Sequence, residues 1–333
     1  MNELAPLAPS TSLVVLGSIN VDLTIRSERL PAIGETVVGG SFYRAHGGKG
    51  ANQAVAAVRY LQGHVSLIGG VGDDAFGRLM IQHLQSDGID TSEVCLHPSE
   101  ATGTALILVD VQGNNCISVA SGANSCVTAD AIRTISAAFW QRHPVALASL
   151  EVPLLAVHQF LRMGRERGQQ TILNPAPIPT NQTQLLSDTL SYVNVLTPNE
   201  TEALWLQSCL PELNRDGPSE SATEIAVRIA DHFACHCVLT CGGNGAYWAA
   251  PGSTLRHFPA HAVRAVDTTA AGDAFSGVLS AAILEGQPME NAIPLAMAAA
   301  ACSVQKEGAQ PSLPNRTAVL TQLAELNESG HPN

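Results

Sequence analysis

Short β-branched runs that each give way to a helix-period stretch are what most constrain the fold of this chain. SLVVLGSI (12 to 19) is followed, after a polar excursion, by GANQAVAAVRYL, whose apolar residues recur at helical spacing. The pattern returns as HVSLIGGVG with DAFGRLMIQHLQSDG, VALASLE with LLAVHQFLRMGRERG, TILNP, YVNVLTP with NETEALWLQ, and HCVLTCGG. Such alternation implies an α/β fold built on a doubly wound, mainly parallel sheet, with ligands bound outside the carboxyl ends of the strands. Two strand-like segments break the rhythm: 35 to 48, ETVVGGSFYRAHGG, and 102 to 124, TGTALILVDVQGNNCISVASGAN, with GNN as a hairpin turn. They are either a small β-sheet lid over the active face or edge strands of the main sheet; alternation alone does not separate the two. No repeat, low-complexity tract or linker interrupts the chain. It reads as one α/β domain over 12–325 with lid segments inserted at about 22–46 and 101–121, after a flexible tail at 1–11.

With 45% hydrophobic and 14% charged residues in 333, the chain can bury a large core. Its 17 basic against 29 acidic residues give a net charge of -12, the wrong sign for a nucleic-acid or membrane-surface partner. Cys95, Cys116, Cys126, Cys209, Cys235, Cys237, Cys241 and Cys302 have no framework spacing, which suits reduced thiols in a cytoplasmic protein without disulfides. The opening MNELAPLAPSTS lacks the basic and apolar regions of a signal peptide. The apolar run LAMAAAACSV falls short of the roughly 20 residues that span a bilayer.

Chemistry concentrates in AVDTTAAGDAFSGVLSAAILEG (265 to 286), where a small-residue turn opens a helix with Phe275, Val278, Leu279, Ala282 and Ile283 on one apolar face. Asp273 lies in its first turn, and the N–H groups of residues 270 to 273 are unpaired donors suited to a phosphate. A carboxylate there can take a proton from an attacking hydroxyl, or it can merely complement the helix dipole. A second group is HGGKGANQAVAAV (46 to 58), a glycine turn with Lys49 and Asn52; it is not a Walker A loop. GSINVD places Asn20 and Asp22 at the carboxyl edge of the first strand, and VALASLE places Glu151 at another. A third comprises VLTPNETEA and VLTCGGNGAYW. Asn199 and Glu202 share a face at a helix start, where Glu202 either holds a Mg²⁺-bound water or serves as a cap. TCGGNG either admits a nucleotide against bare backbone or is a hairpin turn. A zinc site from Cys235, His236, Cys237 and Cys241 is disfavoured, because strand alternation splits them across two faces.

Taken in order, GSINVD, GGKGANQA, TPNETEA, TCGGNGAYW and AVDTTAAGDAF resemble the motifs of ribokinase-like members of the PfkB family of carbohydrate kinases, over about residues 12 to 315. The resemblance implies a β-lidded α/β fold, often dimeric through the lid, and an ATP-dependent kinase acting on a small sugar, D-ribose at its 5-hydroxyl. It makes Asp273 the base and the amides of Ala271, Gly272 and Asp273 the anion hole. It assigns Asn20, Asp22, Gly48, Lys49, Gly50, Asn52 and Glu151 to the sugar, and Asn199, Thr240, Gly242, Gly243 and Gly245 to ATP. Glu202 completes a motif associated with Mg²⁺. Asp267, Thr269, Ser303, Lys306, Gly308 and Ser312 match a site for an activating K⁺, mostly through carbonyls.

Two positions depart from the family. Ala270 stands where glycine is common, and Met297 where an Asn or His approaches adenine. Deoxyribose, fructose or a nucleoside as substrate, or a catalytically silent sugar-binding protein, stays open as an alternative. A dinucleotide-dependent oxidoreductase is disfavoured because no G-x-G-x-x-G follows the first strand.

Overall fold

The computed structural model describes residues 11–179, 182–214, 217, 221–260 and 262–329; apart from Thr11, the tail expected at 1–11 lies outside them. The strands are β1 (Leu13–Leu16), β2 (Asn20–Arg26), β3 (Ser41–Gly47), β4 (Val65–Gly72), β5 (Ile89–His97), β6 (Gly103–Val109), β7 (Asn115–Ala120), β8 (Val145–Ser149), β9 (Gln170–Asn174), β10 (Val195–Leu196), β11 (His236–Thr240), β12 (Ala246–Ala249) and β13 (Arg256–Phe258). The helices are α1 (Lys49–Leu61), α2 (Ala75–Ser86), α3 (Ala129–Thr134), α4 (Ala137–Gln141), α5 (Leu154–Glu166), α6 (Thr183–Leu190), α7 (Glu200–Cys209), α8 (Ala222–Phe233), α9 (Ala271–Leu284), α10 (Met289–Ser303) and α11 (Arg316–Ser329).

Nine strands form the main sheet in the order β13-β12-β11-β10-β9-β8-β1-β4-β5. Pairing is parallel from β5 to β11, and β12 and β13 add an antiparallel edge. β1 is LVVL with every residue buried, as a central parallel strand covered on both faces requires. Its side chains divide by alternation. Leu13 and Val15 join the core beneath α1, α9 and α10, while Val14 and Leu16 join the core beneath α5 and α8.

The two off-rhythm segments are not edge strands of that sheet. They supply β3 and the β6–β7 hairpin of a separate four-stranded sheet, ordered β3-β2-β6-β7. The hairpin turns where the sequence predicts: Asp110 Oδ1 accepts the N–H groups of Gln112 and Asn114 at 2.9 Å, and Gly113 adopts φ 87°.

α9 does not present a single apolar face, since residues from Asp273 to Ala282 are buried on all sides, and Ile283 is among its less buried residues. The helix lies between α1 and α10, and glycine at 277 allows the close approach to α1, where a Cβ would lie 2.5 Å from Gln53 O.

Candidate active site

The site begins where β1 ends. Gly17 and Gly50 pass so closely that a Cβ on Gly50 would lie 2.5 Å from Cα of Gly17. This contact brings the first turn of α1 against the carboxyl end of β1, and Gly48 caps it with φ 91°. Asn20 and Asp22 accordingly do not sit on the edge of β1; after the turn at Gly17 they stand on β2, the first strand of the small sheet. Asn124 fixes the start of β2 by clamping the N–H of Ile19 at 2.9 Å and its carbonyl at 3.2 Å, and by donating to Asn20 Oδ1 at 2.7 Å.

Glu151 follows β8 and accepts both the Ser18 hydroxyl and, at 3.3 Å, the Lys49 N–H. Lys49 therefore opens α1 over a cluster of carboxylates. Asp273 first, then Glu151 and Glu202, hold its ammonium above the usual lysine range against the opposing effect of burial. Asp273 is 6% exposed; Asn52 donates to its Oδ2 at 2.9 Å and Gln53 to its Oδ1 at 3.0 Å. Burial pushes the Asp273 pKa up, and Lys49 with the two amides pulls it back. Burial, helped by repulsion from Glu151 and Asp273, pushes Asp22 up to about 6.

At the start of α9, Ala270 takes the left-handed conformation with φ 61° and ψ 12°. The Ala271 N–H closes a turn onto Thr268 O at 3.3 Å and the Ala274 N–H bonds Ala270 O at 2.8 Å. Gly272 and Asp273 have no backbone acceptor among the described residues, so their N–H groups are the open donors of this helix start.

Two adjoining cavities flank that turn. One, of about 250 Å³, is polar and includes Lys49, Asn199, Glu202 and Asp273. The other, of about 280 Å³, runs between Gly242, Gly243 and Gly245 on one side and Val263, Met297 and Val304 on another. Thr240, Thr268, Ala271, Gly272 and Phe275 line both, making one cleft with a polar and an apolar end. TCGGNG is indeed the turn of the β11–β12 hairpin, and it also lines the cleft, because a Cβ on Gly242 or Gly243 would meet nothing within 4 Å.

Asn199 and Glu202 form a full capping box on α7: Glu202 accepts the Asn199 N–H and side-chain amide, both at 2.9 Å, and Asn199 accepts the Glu202 N–H at 2.8 Å. Burial raises the Glu202 pKa. Beside the α9 start, Asp267 accepts both donors of Thr269 and, at 2.9 Å, the N–H of Gly308. Those bonds outweigh burial and lower its pKa. They tie the 303–312 loop to the segment preceding Ala270. In that loop Lys306 N–H bonds Ser303 O at 3.1 Å, and Ser312 Oγ donates to Ala309 O at 2.7 Å.

Cys235 and Cys237 pack in the core below α8, and His236 instead accepts the Trp248 indole N–H at 3.1 Å. Burial pushes the Cys235 thiol up to about 12. Among the described residues, no three His, Cys, Asp or Glu side chains cluster as metal ligands, and no helix is long and apolar enough to cross a membrane.

Sequence reasoning missed Ser18, Gln53, Asn124 and Asn174. Two polar residues within the apolar stretch of GANQAVAAV were a usable signal for Gln53; nothing local marks Asn124.

The sequence matches the model of the pfkB family carbohydrate kinases over residues 10–316. It is 38% identical over 313 residues to the ribokinase of Haemophilus influenzae, covering 94% of this chain and 98% of that one. Solved structures similar to it include the ribokinase of Thermotoga maritima, with a TM-score of 0.83, 29% identity and coverage of 94% and 99% of the two chains. Another is the ribokinase of Arabidopsis thaliana in complex with ribose and ATP, with a TM-score of 0.80, 29% identity and coverage of 94% and 98%.

Proposed function

The chain belongs to the pfkB family of carbohydrate kinases, and from that premise we propose that it transfers the γ-phosphoryl group of ATP to the 5-hydroxyl of D-ribose. The observation that carries this reading is the placement of Asp273. Its carboxylate, gripped by Asn52 and Gln53, borders the polar end of the cleft next to the open N–H groups of Gly272 and Asp273. A sugar hydroxyl held there gives its proton to Asp273 as its oxygen attacks the γ-phosphorus, the bond from that phosphorus to the β,γ-bridging oxygen breaks with ADP leaving on the far side, and the N–H groups meet charge on the transferring oxygens. Ala271 contributes less than its two neighbours, because Thr268 already engages its N–H.

Asn20, Asp22, Lys49, Asn52 and Glu151 take the sugar's other hydroxyls, with Gly48 and Gly50 shaping the turn that presents them. ATP lies along the cleft with its base at the apolar end against Gly242, Gly243, Gly245 and Met297, and with its phosphates near Asn199 and Thr240. Met297 replaces a polar base contact by an apolar one.

Mg²⁺ bound with ATP would neutralise phosphate charge. Both Glu202 oxygens are occupied by Asn199, which suits contact through water and not direct ligation. Both Asp267 oxygens are likewise occupied, so a K⁺ at the 267–269 and 303–312 segments would meet backbone carbonyls, while Asp267 braces the loop beside the anion hole.

The small sheet serves as a lid over the sugar, excluding water that would otherwise hydrolyse ATP. Its exposed Ile25, Phe42 and Leu106, which the register puts on one face, support a homodimer formed through that sheet. Unpaired cysteines fit a cytoplasmic enzyme.

The test is ATP-dependent phosphorylation of D-ribose with Mg²⁺, in the presence and absence of K⁺. Ribose 5-phosphate formed faster with K⁺ is the expected result. Activity on deoxyribose, fructose or a nucleoside instead would move the specificity, and transfer to none of them would overturn the proposal.

A further inference from the structure

Gln53 is 0% exposed and lies one residue beyond Asn52 on α1. Its amide nitrogen donates to Asp273 Oδ1 at 3.0 Å and to Asn174 Oδ1 at 3.1 Å. Asn174, at the carboxyl end of β9, donates in turn to Thr197 O at 3.1 Å, just past β10. A continuous chain of amides thus joins two strand ends of the main sheet to the carboxylate on α9. Both hydrogens of the Gln53 amide are committed, and the residue is shut away from the cleft.

Packing holds the chain in place. A Cβ on Gly277 would lie 2.5 Å from Gln53 O and 2.8 Å from the Ala56 Cβ, so glycine there lets α1 and α9 approach closely enough for the bond.

We propose that Gln53 is a positioning residue for phosphoryl transfer: it fixes the rotation of the Asp273 carboxyl group and keeps it ionised, without touching either substrate. This rests on the reading of Asp273 as the base. The division of labour is specific. Both side chains keep a buried carbonyl oxygen without a partner, but Asn52 retains 6% exposure and Gln53 none, so Gln53 can act only through the groups it touches, Asp273 and Asn174. A charge-assisted bond inside a buried site favours the ionised carboxylate, and its loss favours the protonated one. Without Gln53 the base therefore becomes active only at higher pH.

The experiment compares the parent enzyme with Gln53→Met, which keeps the volume, and with Gln53→Glu, which keeps the shape but sets a second carboxyl beside Asp273. Two readouts are taken: kcat/KM against pH, and the titration of the Asp273 carboxyl carbon by ¹³C NMR, assigned by its absence in Asp273→Asn. For Gln53→Met the expected result is an upward shift of the acid limb by about one to two pH units. The carboxyl carbon titration should move by the same amount, with KM for ATP unchanged. Gln53→Glu should shift both further. An unmoved carboxyl titration in both variants overturns the proposal, even if turnover falls. A shifted titration alongside near-normal turnover of Asp273→Asn would instead leave the Gln53–Asp273 coupling standing and refute Asp273 as the base.

Discussion

Substituting Gly50 by alanine tests whether the crossing of α1 over β1 sets the site's geometry. An ideal Cβ at position 50 lies 2.5 Å from both Cα and the carbonyl carbon of Gly17, and 2.8 Å from Ser18 N. All three are backbone atoms and cannot swing away. Carbon–carbon contacts settle at about 3.5–4.0 Å, so the first turn of α1 and the end of β1 must separate by about 1 Å. That turn carries Lys49, and the residues one turn on are Asn52 and Gln53, whose amides hold Asp273 at 2.9 and 3.0 Å. A shift of that size lengthens both bonds beyond useful range, and a misplacement of about 1 Å costs about 10²-fold in turnover. Stability should change far less. Overpacking costs about 1–3 kcal/mol, and replacing a helical glycine by alanine returns about 1 kcal/mol, leaving a loss of about 0–2 kcal/mol. Steady-state kinetics and a thermal melt on the same preparation separate the two effects. A large drop in kcat with a Tm lowered by only a few degrees is expected; kcat within threefold of the parent would refute this account of the crossing.

Asp273→Asn should retain ATP and sugar binding by calorimetry while turnover falls by about 10²–10⁴-fold, and near-normal turnover would remove Asp273 from its role. Asp22 is raised from 3.8 to about 6, so its folded form resists ionisation. The resulting penalty is absent well below pH 4, grows as pH rises and is complete above about pH 6. Asp22→Asn should therefore raise Tm, more at pH 8 than at pH 5, by an amount equivalent to at most about 3 kcal/mol; a gain that shrinks with pH would contradict the sign. Ala270 holds φ 61°, a conformation that costs a side-chain-bearing residue about 1 kcal/mol relative to glycine. Ala270→Gly should leave stability equal or raised by about that amount and kcat within a factor of about three; a stability loss in chemical denaturation would show that the methyl group is needed.

The order of strands and helices, the position of the β6–β7 turn and the open N–H groups at the start of α9 follow from local pattern: period-two and helix-period apolar spacing, turn residues at fixed offsets and a small-residue helix start. Asp273, Lys49 and Asn52 stood out as candidates for the same reason, as polar residues in apolar or glycine-rich surroundings, but the roles proposed for them come from the resemblance of the ordered motifs, since spacing alone left Asp273 equally a complement to the helix dipole. Local pattern could not place Asn20 and Asp22, because the break after Leu16 comes from the contact of Gly17 with Gly50, 33 positions away in the chain. Nor could it show that α9 is buried all round, since that depends on α1 and α10 closing over it. The amide chain from Thr197 through Asn174 and Gln53 to Asp273 joins four segments far apart in sequence, and only packing makes them neighbours. Residue types and their periods determined the elements and marked several candidate site residues. The tertiary structure decided which buried side chains hold those groups in place, because a hydrogen bond depends on distances that only packing sets.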